Sequence, residues 1–203
     1  MCRKEVWKLE RYGEVSRKTR ETDIKVGIKI DGSGQYNINT GIGFFDHMLS
    51  GFARHGFFDL DVSVNGDLEV DGHHTVEDTG IVLGQAFNEA LGDKRSIRRF
   101  GDCILPMDDA LVLAGVDVSG RHFFEFDLPM EAAMVGQFDT ELVKEFFYAF
   151  ADAAKINLHI KKINGRNAHH IIEATFKAVA RALDAATSID ERNKDVPSTK
   201  GLL

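Results

Sequence analysis

Two short runs in this 203-residue chain carry the same pattern, "GHHTVED" (Gly72 to Asp78) and "AHHIIEA" (Ala168 to Ala174). The first holds His73, His74 and Glu77, the second His169, His170 and Glu173. Successive residues of an α-helix turn by about 100°, so with His73 at zero, His74 projects near ~100° and Glu77 near ~40°. The carboxylate thus points between the imidazoles, within reach of either, while the two rings diverge too far to share one small ion. Imidazole and carboxylate pairs at such helical spacing are a known way of building dinuclear metal centres. Two triplets facing each other would offer four nitrogens and two carboxylates. That set, with no thiolate, suits Mn, Fe, Co or Zn without choosing among them. Open coordination positions on such ions would permit Lewis-acid chemistry. One such run alone reads as solvated or core-satisfied histidine; two copies at matching places read as ligands.

His47 is the next candidate. It sits in "FFDHML", flanked by Phe44, Phe45, Met48 and Leu49, where an unpartnered polar ring costs stability. Aligning "DHML" with "KEFF" makes Glu145 its counterpart in the second half, and a carboxylate also ligates. His122 and His159 read as structural, and His55 has a weaker claim.

The elements that must position these groups follow from periodicity. Residues 23–30, "DIKVGIKI", alternate and predict a half-buried strand. "DGSG" predicts a hairpin turn and "QYNINT" a returning strand. "FFDHMLSGFARHG" has helical spacing with Gly56 as its stop, "FFDLDVSV" is a strand, and a helix opens near His73. The second half repeats the order. "ALVLAGVDVSG" and "RHFFEFDL" are strands joined across Ser119-Gly120, "DTELVKEFFYAFADAA" is a helix, "INLHIKKI" a strand and "NAHHIIEATFKAVARALDAA" the last helix. The expected fold is therefore α+β with an internal duplication. Each of two similar units is a small, mostly antiparallel sheet covered on one face by two helices, over residues 15–95 and 96–190, with a tail at 191–203.

With 43% hydrophobic and 28% charged residues the chain has the composition of a soluble globular protein. A net charge of −7 argues against nucleic acid as a partner. Cys2 and Cys103 make no disulfide framework, the start lacks the apolar run of a signal peptide, and no stretch approaches a membrane span. A cytoplasmic protein is expected.

"TGIGFFDHML", "DGHHTVEDTGIVLGQA", "NAHHIIEATFKAVARAL" and "PSTKG" together resemble the imidazoleglycerol-phosphate dehydratase family of histidine biosynthesis, from about Arg17 to Leu202. The resemblance implies paired α+β units of the ribosomal protein S5 domain 2-like type. It also implies homo-oligomeric 24-subunit shells and two manganese ions per active site at subunit interfaces. The implied metal ligands are His47, His73, His74, Glu77, His169, His170 and Glu173. A position commonly His in the family falls here on Glu145, whose carboxylate would make that centre harder and favour Mn over Zn. The implied reaction removes water from imidazole glycerol phosphate to give imidazole acetol phosphate, with Glu21 as general acid/base. Arg99, Arg121, Lys200, Ser198 and Thr199 match phosphate-binding positions, and Lys177 and His55 fall where substrate contacts are expected. Taken without the resemblance, Glu21 is a solvated charge at a strand's edge, Lys177 an i,i+4 partner of Glu173, and "VPSTKGLL" a frayed terminus. The same ligand set also fits a dinuclear metallohydrolase or a non-catalytic metal-binding assembly; Glu21 with Arg99, Arg121 and Lys200 discriminates, since a storage site needs no phosphate-binding group and a hydrolase would cleave the phosphate ester that a dehydratase leaves intact.

Overall fold

A strand with one apolar face needs something to cover it, and the computed structural model, which describes residues 10–203, covers two such sheets with helices that meet between them. The chain runs β1 (Tyr12–Lys18), β2 (Thr22–Lys29), β3 (Tyr36–Asn39), α1 (Gly43–Gly56), β4 (Asp59–Gly66) and α2 (His73–Leu91). It continues with β5 (Phe100–Met107), β6 (Ala110–Asp117), β7 (Phe123–Asp127), a short hairpin of β8 (Met134–Val135) and β9 (Phe138–Asp139), α3 (Leu142–Ala154), β10 (Asn157–Asn164) and α4 (Ala168–Thr187). The two larger sheets have strand orders β1-β2-β4-β3 and β5-β6-β10-β7, the same arrangement built twice. This is the duplicated α+β fold.

Apart from the β8–β9 hairpin of the second unit, the order within each unit is strand, strand, strand, helix, strand, helix, one strand more than the periodicity suggested. β1 and β5 are the additions. β1 occupies one edge of β2 and β4 the other, both antiparallel, so β2 has no edge left for β3. The expected hairpin across Asp31–Gly34 therefore does not form, and β3 runs parallel to β4. Asp59 at the start of β4 fixes that path, its Oδ1 accepting from the amides of Ser33 and Gln35 at 2.7 and 3.0 Å. The same correction applies across Ser119-Gly120: β7 pairs parallel with β10, not back on β6. Gly56 is the last helical residue of α1, and the left-handed turn after it is made by Phe57, φ 56°.

α1 and α2 lie on the first sheet, α3 and α4 on the second, and the helices meet across the units as α1 on α4 and α2 on α3. Ile24, Val26 and Ile28 of β2, Phe45, Met48, Leu49 and Phe52 of α1, and Phe146, Phe150 and Phe176 of α3 and α4 are all buried in one core. The α2/α3 contact is the tighter. A Cβ on Gly84 would stand 2.5 Å from the Phe150 carbonyl oxygen and 2.7 Å from the Ala153 Cβ, so only glycine lets these backbones approach. No helix among the described residues is long and apolar enough to cross a membrane.

Candidate metal centre and active site

Both histidine pairs occupy the first turn of a helix. Asn167 caps α4, its side-chain oxygen accepting the His169 and His170 amides at 2.9 and 3.3 Å. At α2 the corresponding work falls to Asp71, whose Oδ1 accepts from the His73 amide at 2.7 Å. The rings diverge as expected: centroids are 6.1 Å apart in each pair, with interplanar angles of 86° and 76°. The glutamates are not shared between the rings, however. Glu77 approaches His73, 3.6 Å between Oε2 and Nε2, and Glu173 approaches His169 at 3.3 Å. The second histidine of each pair faces other carboxylates. His74 lies 3.0 Å through Nδ1 from Asp67 and 3.8 Å through Nε2 from Glu21. His170 lies 2.7 Å through Nδ1 from Asp109 and 3.4 Å through Nε2 from Asp108.

His47, His169 and Glu173 converge: one ligand atom from each lies within 4.8 Å of the others, and no second such group of three occurs among the described residues. Donors about 2.1 Å from one ion stand roughly 3.0–3.5 Å from each other. The 3.3 Å and 3.9 Å separations of Glu173 from His169 and His47 thus need only small side-chain adjustments, and the donor set fits a divalent ion. The Glu173 side chain is 12% exposed and takes Lys177 Nζ at 2.7 Å on its other oxygen. Burial pushes its carboxyl pKa up, but Lys177, aided by His47 and His169, outweighs that and holds it below the usual value. It is therefore a carboxylate that stays ionised at neutral pH although largely buried.

Glu145 shares a cavity of about 960 Å³ with His73 and His169, walled by Ile42–Phe44 and the β8–β9 hairpin. α3 carries Glu145 towards the histidine helix of the first unit, as α1 carries His47 towards that of the second. His47 thus meets the second pattern from the first unit, and Glu145 lines the same cavity as His73 from the second. His73, Glu77 and Glu145 do not close into a three-donor group within one chain.

Glu21 sits in the β1–β2 turn, its amide bonded to Thr19 Oγ1 at 3.1 Å and its carbonyl oxygen accepting from the Asp67 amide at 3.1 Å. A partly buried ion pair ties that turn to α2: Arg17 Nη1 meets Asp78 at 2.5 Å, and Thr22 Oγ1 donates to the same carboxylate at 2.6 Å. The phosphate candidates gather elsewhere. Arg99 spends Nε and Nη2 on Asp117 and donates Nη1 to the Pro197 carbonyl at 3.0 Å, which lays the tail beside it. The last residue, Leu203, packs on Gly120, next to Arg121, while Ser198 Oγ accepts the Lys200 amide at 3.2 Å. Thr199 follows Ser198 on that tail, which is laid down rather than frayed. None of these residues lines the cavity of His73, Glu145 and His169. His55 lies near Lys177 and Arg181; burial first, then these two cations, lowers its pKa. His159 stacks on Phe123 and His122 sits against Tyr148.

Asp67, Asp108 and Asp109 were absent from the sequence reading. Their only signal is position, an aspartate just past a strand end in "VNGD" and "PMDD", which reads equally well as turn chemistry.

A duplicated α+β fold whose two helix starts present histidine–carboxylate triplets defines a class of two-unit proteins with paired imidazole–carboxylate clusters. The comparisons narrow it. Residues 40–183 match the family model of imidazoleglycerol-phosphate dehydratase. The chain is 63% identical over 193 residues to the enzyme of Thermoanaerobacter pseudethanolicus, covering 95% of this chain and 100% of that one. It is 60% identical over 195 residues to that of Acetivibrio thermocellus, at 96% and 100% coverage. The crystal structure of the Staphylococcus aureus enzyme superposes with a TM-score of 0.81 at 40% identity, over 88% of this chain and 99% of that one. That of the Pyrococcus furiosus enzyme gives 0.80 at 40% identity, over 93% and 100%. The chain belongs to the imidazoleglycerol-phosphate dehydratase family, hydro-lyases of histidine biosynthesis.

Proposed function

We propose that this chain performs the dehydration of imidazole glycerol phosphate to imidazole acetol phosphate in a metal-dependent way. Two Mn(II) ions per active site would be held by His47, His73, His74, Glu77, Glu145, His169, His170 and Glu173. The observation that carries the reading is the convergence of His47, His169 and Glu173 on one point, with the carboxylate ionised despite its burial. Ions held by these residues would supply Lewis acidity at the substrate ring, easing departure of the hydroxyl on the carbon next to the ring as the proton leaves the following carbon.

The chain's own residues do the rest. Glu21, exposed and 3.8 Å from His74 Nε2, is the general acid/base, taking the carbon-bound proton and returning one to the departing hydroxyl, so that water leaves. Arg99, Arg121, Lys200, Ser198 and Thr199 grip the phosphate, with His55 and Lys177 as further substrate contacts. Three of the five guanidinium donors of Arg99 are engaged, leaving two for phosphate oxygens. The site is completed by a second copy in a 24-subunit cytoplasmic homo-oligomer. Two features support this: the open triplet at His73, and exposed aromatic residues such as Tyr12, Phe100 and Phe123 on the sheet faces turned from the helices.

The test is removal of metal with a strong chelator. Activity on imidazole glycerol phosphate is expected to vanish and to return best with Mn(II); full activity in chelator refutes the metal reading. A monomer by light scattering in Mn(II) buffer refutes the assembly.

A further inference from the structure

His74 and His170 differ from their neighbours in having both ring nitrogens faced by carboxylates. In each, Nδ1 is at hydrogen-bond distance from one aspartate, Asp67 at 3.0 Å or Asp109 at 2.7 Å. In each, Nε2 is faced at longer range by a carboxylate from the first turn of the sheet, Glu21 at 3.8 Å or Asp108 at 3.4 Å. A carboxylate only accepts, so the nitrogen touching it closely must donate. A neutral imidazole carries one N–H; with that hydrogen on Nδ1, the lone pair is on Nε2, looking into a space flanked by negative charge.

We propose that Asp67 and Asp109 are positioning residues, each accepting the Nδ1–H of its histidine and so fixing ring and tautomer with Nε2 bare for an ion. The inference rests on the metal-dependent reading above. The opposite tautomer sets the Nδ1 lone pair against carboxylate lone pairs at 3.0 Å in His74 and 2.7 Å in His170, an arrangement with no bond in it. Both aspartates are themselves held by main chain. The Asp67 amide donates to the Glu21 carbonyl at 3.1 Å, so the residue that aims His74 also fixes the turn bearing Glu21. Asp109 Oδ2 accepts the amides of Arg166 and Asn167 at 2.7 and 3.1 Å, tying the β5–β6 turn to the start of α4.

The two units reach this arrangement from different places in the chain. Glu21 and Asp108 occupy the equivalent turns, β1–β2 and β5–β6. Asp67, by contrast, follows β4, whereas Asp109 adjoins Asp108. A contact inherited with the duplication would come from equivalent positions. Supplying the same carboxylate to the same nitrogen from non-equivalent positions argues that the contact has a use.

The test uses full-length protein labelled with ring-¹⁵N histidine, stripped of metal and held at pH 9, where imidazoles are neutral. Solid-state ¹⁵N NMR reads each tautomer, and His74→Gln and His170→Gln assign the two signals. The expected result is Nδ1–H at both; Nε2–H at either overturns the proposal for that histidine, whether or not any variant folds. Asp67→Asn and Asp109→Asn are expected to shift their own histidine towards Nε2–H and to weaken Mn(II) binding by calorimetry about 10–100-fold. Lost affinity with an unchanged tautomer, or unchanged affinity, also overturns it. Wild-type protein that binds no Mn(II) refutes the metal-dependent reading alone, since the tautomers are read without metal.

Discussion

Glu173 and Glu77 hold the same place in the same pattern, yet the side chain of the first is 12% exposed and that of the second 40%. Around Glu173, α1 brings His47 and α4 itself brings His169 and Lys177, so three groups able to hold an ion and a counter-charge are in place within one chain. Around Glu77, His73 approaches at 3.6 Å, and Glu145 lines the same cavity as that histidine without closing a three-donor group among the described residues. The helix contacts differ in parallel. α2 and α3 touch through Gly80 and Gly84, where a Cβ meets carbonyl oxygen at 2.6 and 2.5 Å, whereas a Cβ on Gly51 of α1 meets nothing within 4 Å. A duplicated sequence pattern thus yields one pre-formed half-site and one open one, because the neighbours across the unit boundary are different residues.

The largest effect expected from perturbing this contrast is on turnover. Glu21→Gln, beside the open half-site, should lower kcat by about 10²–10⁴ while leaving substrate and Mn(II) binding in place; unchanged steady-state turnover removes Glu21 from the chemistry. Next, in dilute, unassembled protein, His47→Ala should weaken Mn(II) binding by calorimetry by more than about a hundredfold, beyond the loss of a mere hydrogen-bond partner. His73→Ala should leave that binding nearly intact, and equal losses in the two variants would erase the asymmetry. Third, Gly84→Ala should cost about 3 kcal/mol in urea unfolding, because main-chain atoms must move apart.

Fourth, Lys177→Met in metal-free protein should cost about 2 kcal/mol near neutral pH by leaving the buried Glu173 carboxylate without its donor. The sign with pH follows from the lowered pKa of Glu173. Its contribution is present above the ordinary glutamate value and is lost as pH falls through the folded value, so the gap between variant and parent should close in acid unfolding series below about pH 4. The smallest effect is a gain. Gly51→Ala, in open space mid-helix, should raise stability by about 0.5–1 kcal/mol, and a loss there would mean that α1 and α4 pack as tightly as α2 and α3.

The duplication, the four helices and the strands β2, β4, β6 and β10 were legible because their apolar periods are clean. β1 was not, since "YGEVSRK" buries little beyond Gly13, whose Cβ would lie 2.1 Å from the Ala86 carbonyl oxygen; a strand covered through a glycine leaves no hydrophobic trace. The two false hairpins failed for a related reason. Turn residues report that the chain bends, not which strand waits on the other side.

At the site, the histidine–glutamate runs announced themselves, and so did the divergence of the rings, because helical geometry is local. Which carboxylate each ring meets was not local. His74 turns to Asp67 and Glu21, and His170 to Asp109 and Asp108, across separations of 7, 53, 61 and 62 positions that no periodicity encodes.

By itself the sequence determined the repeated unit, the kinds of donor atom and the helix starts that carry them, since each depends on neighbours a few residues apart. Only the tertiary structure decided that His47 joins His169 and Glu173, and that Glu145 shares a cavity with His73. Those meetings depend on how closely α1 approaches α4 and α2 approaches α3, and packing between distant segments is set by the shapes of both faces at once.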